Sequence, residues 1–381
     1  MIRVLEFADV INRYDFIDTL VHYADPAKFE MSVCVRSDEH SIAAPEYPER
    51  IKYKLIDWNS RAGIVPTAWN LSRILREWQI DLLHAHHYDQ AVIGWLATKL
   101  YPKTRLVIGR HYSDSIYRLP HGWKTKMFLG LEQIINRHAA RIIVPSRLIF
   151  EILTERQGID PGKIDVVHYG FVPKKYKLPD VSETRRSEFH MKGRFVLGNF
   201  GRLHEEKGHR YLVEAAAVLR RTIPNLLVLC VGEGPEKENI EKQIKELGVE
   251  ENVKLVGWRT DAMTIMSSVD VVVQSTLQEA FSQVMVEALW MSKPLVITDV
   301  SGAPDIIRDG ENGLLVPKAD AAALAEAIGR LFENTELRER IAKNGHDFVA
   351  ENLVITRKIK DYEAAFEKAA DAEHRKPGRN G

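Results

Sequence analysis

Two carboxylates eight residues apart, Glu279 and Glu287, form the most chemically suggestive pair in the chain. Glu279 follows the apolar run Val269-Asp270-Val271-Val272-Val273, which has the composition of a buried parallel strand. Glu287 lies within residues 284–291, whose apolar spacing suits a helix packed on that strand. Glu279 therefore falls in a strand-to-helix turn and Glu287 about one turn into the helix, with Ser282 a candidate N-cap between them. Backbone N–H groups of a first helical turn, here near Phe281, Ser282, Gln283 and Met285, lack intrahelical acceptors and favour an anion. Two acids able to accept from hydroxyls on either side of such a site suit a nucleoside diphosphate carrying a sugar.

A diphosphate also needs cations. The stretch Asn199-Phe200-Gly201-Arg202-Leu203-His204-Glu205-Glu206-Lys207-Gly208 ends one predicted strand and opens a helix. Gly201 and Gly208 permit a tight turn. Arg202 can fork onto phosphate oxygens, and Lys207 can supply a point charge. Alone, this loop reads more readily as a solvated basic turn; beside the carboxylate pair it reads as a phosphate site. No Asp-x-Asp occurs, the usual means of holding a diphosphate through a divalent cation. The expectation is a metal-independent reaction in which Arg202, Lys207 and a helix N-terminus do that electrostatic work.

Histidines are the other candidates. His111 stands just past a predicted strand at 105–108. His84, His86 and His87 resemble a metal cluster, but no nearby carboxylate or cysteine completes a ligand set. Packing or contact with a substrate is the favoured reading of these three. Residues 119–128 mix Trp123 and Phe128 with Lys124 and Lys126, suiting either an anionic membrane surface or a solvated helix with its apolar face in the core. The second reading is preferred.

The elements that would hold these groups alternate. Strands are expected at 2–7, 31–35, 51–56, 81–85, 105–108, 141–144 and 164–168, with helices at 67–78, 90–100, 123–137 and 148–156. The pattern breaks between 172 and 193, where prolines, lysines and a polar run suggest a linker. It resumes with strands at 195–200, 226–231, 253–256, 269–274, 295–298 and 313–316. Helices follow the same rhythm at 211–221, 236–247, 284–291, 321–332, 337–352 and 354–370. Such alternation implies parallel sheets covered on both faces. Two Rossmann-like domains, 1–171 and 194–353, are expected to face each other across a cleft outside the carboxyl ends of their strands. Helix 354–370 is expected to pack back on the first domain, and the charged tail 373–381 to be disordered.

Composition narrows the setting. Lysine plus arginine equals aspartate plus glutamate, 53 each, so no overall field recruits nucleic acid. Locally, residues 99–147 carry ten basic side chains against Asp114 and Glu132. The two cysteines, Cys34 and Cys230, lie far apart in apolar runs, which fits a reducing compartment. No signal peptide and no run of about 18 apolar residues is evident, so a cytoplasmic protein is expected, either free or peripheral on the inner face of the cell membrane.

The motifs GRLHEEKG (201–208), VGEGP (231–235), EAFSQVMVEAL (279–289) and TDVSGAPDIIRDGENGLLV (298–316) together resemble the family-four retaining glycosyltransferases, group 1, of the GT-B fold. The likeness covers most of the second half. It is weaker in the first half, through HAHH (84–87), Arg110-His111 and IIVPS (142–146). The resemblance implies transfer of a hexose-type sugar from a nucleotide donor, UDP- or GDP-linked, to an acceptor hydroxyl with retention of configuration. Implied acceptors are a glycan, a lipid-linked sugar or a small molecule, as in surface polysaccharide, lipopolysaccharide or glycolipid synthesis. It implies no cofactor. Arg202 and Lys207 would neutralise the diphosphate, Glu287 would accept from ribose hydroxyls and Glu279 from the donor sugar. Gly201, Phe281, Ser282 and Gln283 would complete the cradle by backbone, and His111 would lie near the reacting carbon. Gly302 would bring backbone close to the sugar or simply make a turn.

The chain departs from the family pattern in places. Residues 7–15 lack the glycine pair usual there, Glu279-Ala280-Phe281-Ser282 replaces EGFG, Asp305 replaces a glutamate, and His168-Tyr169-Gly170 replaces Pro-Asn-Gly. Rival readings are a nucleotide-sugar epimerase or phosphorylase of the same fold, and a catalytically idle sugar-nucleotide-binding protein. A dehydrogenase is weaker still, because Gly232-x-Gly234 is a fragment of the dinucleotide fingerprint. Trp258 and Arg259 are candidates to meet the donor base.

Overall fold

The computed structural model describes residues 1–9, 16–37, 47–58, 63–112, 122–175, 187–300 and 302–372. The expected tail at 373–381, the centre of the break at 176–186, most of the first loop (10–15) and residues 119–121 of the basic segment lie outside the described residues. The chain divides into two compact units, residues 1–172 with 355 onward, and residues 173–354.

The first unit is built on a parallel sheet ordered β3-β2-β1-β4-β5-β6-β7. Its strands are β1 Ile2–Ala8, β2 Phe29–Ser37, β3 Lys52–Asp57, β4 Leu82–His86, β5 Arg105–Gly109, β6 Arg141–Val144 and β7 Ile164–Val166. The strand order reverses between β1 and β4, and the crevice at such a reversal lies beyond the carboxyl ends of the strands. Register there sets Glu6 beside His84, and His86 beside Gly109 of β5.

The terminal helix Ile355–Asp371 belongs to this unit because Ile355, Ile359, Tyr362, Phe366 and Ala369 form one apolar stripe, all buried. Arg105 donates to the carbonyl of Ala369 at 2.9 Å, and Lys28 pairs with Glu367 at 2.9 Å. A helix at Phe16–Tyr23 was not expected, although Ile17, Leu20, Val21 and Ala24 keep helical spacing and are buried. The expected helix 148–156 is α-helical at Arg147–Glu151 and then widens into a π-turn at Ile152–Arg156.

The second unit repeats the plan with a six-stranded parallel sheet ordered β10-β9-β8-β11-β12-β13. The strands are β8 Phe195–Phe200, β9 Leu226–Val231, β10 Val253–Gly257, β11 Val271–Gln274, β12 Leu295–Thr298 and β13 Leu314–Val316. The side chains of β8, β9, β11 and β12 are buried throughout, which explains why their sequences read as apolar runs without alternation. The order reverses between β8 and β11, so the segments after those two strands must meet. Short helices at Ala262–Ser268 and Ala303–Ile306 were not expected; at one and two turns they offer too little periodicity to read.

Candidate functional site

The segments leaving β8 and β11 in the second unit are joined before any side chain is considered. Asn199 donates to the carbonyl of Val273 at 2.9 Å, locking the two strand ends together. Beyond them, Leu277 N–H donates to the carbonyl of Glu206 at 2.7 Å, and the Ser275 hydroxyl donates to the carbonyl of Lys207 at 3.1 Å. A 3₁₀ turn at Glu205–Lys207 ends at Gly208, whose φ of +62° would strain any other residue. A Cβ there would lie 2.2 Å from the carbonyl oxygen of Ser275, so the closeness of the two loops itself demands glycine.

Lys207 reaches across this junction. Its Nζ stands 2.9 Å from Glu279 Oε2, and each side chain is about a fifth exposed. Burial pushes the Glu279 carboxyl above its ordinary pKa, opposed by Lys207 and, through space, by Arg202. Arg202 itself is exposed at the turn after β8. Residues 72 and 77 positions apart in sequence are thus parts of one electrostatic site.

The helix Gln283–Trp290 starts at Ser282 as expected. The Ser282 hydroxyl accepts from Met285 N–H at 3.1 Å and donates to Gln274 Oε1 at 2.8 Å, pinning the cap to the end of β11. Gln283 and Glu287, four apart on one face, stay out of the core that buries Met285, Val286, Ala288 and Leu289. Phe281 is buried, with its ring against Gly302: a Cβ on that glycine would sit 2.5 Å from the ring. Packing against the Phe281 ring by itself calls for a glycine at 302.

Gly232 and Gly234 also acquire a reason. A Cβ on either would fall 2.0 Å from the Gly201 carbonyl oxygen or 2.3 Å from that of Leu203. Leu203 N–H donates to the Glu233 carbonyl at 2.9 Å in the same contact. These glycines therefore shape the Arg202 loop, and no dinucleotide fingerprint is needed to explain them. Arg259, a candidate to meet the donor base, pairs with Asp261 at 2.8 Å and Glu188 at 3.0 Å.

His111 belongs to the first unit, just beyond β5. Its Nε2 lies 2.7 Å from His86 Nδ1 and its Nδ1 lies 2.6 Å from the Tyr169 hydroxyl. His86 Nε2 continues to Glu6 Oε2 at 2.6 Å, and His84 Nδ1 lies 2.9 Å from the same oxygen. The reading that no carboxylate accompanies these histidines is corrected by Glu6, which sits 78 residues earlier and arrives only through the pairing of β1 with β4. Burial pushes the His111 and His86 imidazoles down, His86 to about 4. Burial would raise Glu6, but the neighbouring imidazoles outweigh it and bring the carboxyl to about 2. Arg110, next in sequence, is buried and paired with Glu132 at 3.0 Å.

Comparison with known proteins agrees with both halves. The profile described as Glycosyltransferase Family 4 matches residues 16–175, and that described as Glycosyl transferases group 1 matches residues 180–348. EpsD of Bacillus subtilis, assigned by name as a glycosyltransferase, is 32% identical over 290 residues, covering 72% of this chain and 73% of that protein. The chain belongs to the family-four, group 1 glycosyltransferases. The lipopolysaccharide core glycosyltransferase LpsE of Rhizobium meliloti is 36% identical over 152 residues, 40% of this chain, and the match spans less than half of that relative, 44%. An N-acetylgalactosaminyltransferase of Campylobacter jejuni acting on a diphospho-undecaprenol sugar is 27% identical over 319 residues, 82% of this chain and 84% of that one. The Anabaena protein HepE, solved with UDP-glucose, superposes with a TM-score of 0.81 at 23% identity, covering 96% of this glycosyltransferase and all of HepE. That likeness shows the GT-B fold, with its two Rossmann-like parallel-sheet domains.

Proposed function

We propose that this glycosyltransferase moves a hexose-type sugar from a nucleoside diphosphate donor, UDP- or GDP-linked, to an acceptor hydroxyl with retention of configuration and without a metal ion. The observation that carries this reading is the Lys207–Glu279 contact at 2.9 Å beside Arg202, at the strand-order reversal of the second unit. A diphosphate entering there exchanges the carboxylate on Lys207 for phosphate oxygens and leaves Glu279 to accept from a sugar hydroxyl. Arg202 and Lys207, with the capped start of the Gln283–Trp290 helix, stabilise the charge that grows on the leaving diphosphate. Gly201 and Gln283 bring backbone to the phosphates, Phe281 and Ser282 hold that backbone in place, and Glu287 receives the ribose hydroxyls. The second unit is the donor domain and the first, to which His111 belongs, the acceptor domain.

A surface polysaccharide, lipopolysaccharide or glycolipid pathway is supported by the names of the relatives. A lipid-linked acceptor would bring the enzyme to a membrane surface. No helix among the described residues is long and apolar enough to cross a membrane. However, the helix Trp123–His138 exposes Trp123 (70%), Met127 (62%) and Ile134 (54%), so its apolar residues are not all core. Lys124 and Lys126 flank them, and together they suit peripheral contact with anionic lipid.

Calorimetric titration with UDP, GDP and their hexose conjugates tests the donor site. Loss of one charge-assisted contact costs about 1.5–3 kcal/mol, so Lys207→Ala and Glu287→Ala should each weaken the preferred donor by roughly ten- to a hundredfold. Unchanged affinity in both variants would remove the site assignment, and donor consumption without an acceptor product would favour an epimerase.

A further inference from the structure

The proposed function assigns only His111 of a largely buried line of side chains in the first unit. Glu6, His84 and His86 are wholly inaccessible, and His111 and Tyr169 extend the line to the partly exposed end of the sheet. The heavy-atom distances are 2.6 Å from Glu6 to His86, 2.7 Å from His86 to His111 and 2.6 Å from His111 to Tyr169.

The protons on this line follow from its inner end. Glu6, held at about 2, is ionised and can only accept. His86 Nε2 must therefore carry a hydrogen. A neutral imidazole has one N–H, so His86 Nδ1 is bare and must accept. His111 Nε2 then has to donate, which leaves its Nδ1 bare, and the Tyr169 hydroxyl donates into it. Burial keeps both rings neutral near pH 7. Every bond has one permitted direction, set by a carboxylate two rings away.

The packing is consistent with a built arrangement. A Cβ on Gly109 would lie 2.7 Å from His86 Nδ1, and 2.9 Å from both His111 Nε2 and His84 Nε2. Only glycine lets the rings close over that strand end. Among the described residues, Glu6, His84 and His86 are also a group whose types could hold a cation. Their spacing argues against one. Ligands of a tetrahedral ion with bonds of about 2.0–2.2 Å stand roughly 3.3–3.6 Å apart, whereas Glu6 Oε2 is 2.6 Å from His86 and 2.9 Å from His84.

We propose that Glu6 acts through His86 as a positioning residue for His111, fixing that ring as the Nε2–H tautomer with Nδ1 turned to the Tyr169 hydroxyl. The single proton of Tyr169 is thereby committed inward, and any further partner of its oxygen must be a donor, such as a sugar hydroxyl. The effect on turnover rests on the glycosyl-transfer reading above; the tautomer does not.

The test uses the full chain labelled with ¹⁵N-histidine, read by two-bond ¹H–¹⁵N spectra, alongside transfer kinetics. The wild type should show His86 and His111 as Nε2–H tautomers. Glu6→Gln should give mixed tautomers at His111 and lower kcat by at least about tenfold, with little change in donor KM. Should Glu6→Gln not fold, Tyr169→Phe at the partly exposed end serves: His111 should stay Nε2–H, because His86 still dictates it, while kcat falls. An Nδ1–H His111 in the wild type, a tautomer insensitive to Glu6→Gln, loss of the Nε2–H form in Tyr169→Phe, or a stoichiometric metal in the purified protein would each overturn the proposal. A wild type that transfers no sugar but shows these tautomers would refute the transferase chemistry and leave the positioning standing.

Discussion

Replacing Gly208 by alanine tests whether the junction of the β8 and β11 loops makes the donor site. The residue has a φ of +62°, which costs an alanine about 1–2 kcal/mol. Its Cβ would also fall 2.2 Å from the Ser275 carbonyl oxygen, so one loop must retreat by about 1 Å. Overpacking of that kind costs about 1–3 kcal/mol more. The sum, about 2–5 kcal/mol, should lower the melting temperature of the second unit by roughly 5–15 °C. Lys207 is the preceding residue, and its carbonyl accepts from the Ser275 hydroxyl in the same contact, so the retreat moves Lys207 relative to Glu279. Nucleotide affinity should fall at least about tenfold even at temperatures where the variant is folded. Gly329 is the control. It lies within the helix Ala321–Glu333 with no neighbour near its would-be Cβ, so Gly329→Ala should stabilise by about 0.5–1 kcal/mol and leave affinity alone. Differential scanning calorimetry and nucleotide titration read both effects. A Gly208→Ala protein that melts and binds like the wild type would show that the loops do not need their observed closeness.

Acid should destabilise both units well before general carboxylate protonation. His86 and His209 are each depressed by burial from about 6.5 to about 4, so their neutral forms favour the fold. That stability is complete above pH 6.5 and is lost as pH falls through 4; Glu6, brought from 4.5 to about 2, loses its share lower still. Each shift corresponds to roughly 3 kcal/mol, not additive for the hydrogen-bonded Glu6 and His86. Urea unfolding at pH 7 and pH 4.5 should differ by several kcal/mol, and equal midpoints would refute the burial argument. Cys34 and Cys230, buried and pushed up to about 12, should react with a thiol reagent only at the rate of unfolding; fast labelling of the native protein at pH 8 would contradict their placement.

Much of the candidate site in the second unit was legible because its signals are local. An apolar run, a capping serine and two acids at fixed spacing describe a strand, a turn and a helix without help from elsewhere, and Ser282 caps that helix at the expected residue. The same holds for the terminal helix, whose apolar stripe announces a buried face before its host sheet is known. What the sequence left open is which segments meet. The glycines at 232 and 234 looked like a dinucleotide fragment because the backbone they accommodate, at 201–203, lies some thirty residues away. His84 and His86 looked short of a carboxylate because Glu6 hides in an apolar strand and comes to them through a lateral pairing in the sheet. Residue type and short-range period decide what each segment becomes, since those depend on local sterics and on which face shuns water. Which side chains share an electrostatic environment depends on strand order, and strand order is settled by the packing of the whole sheet.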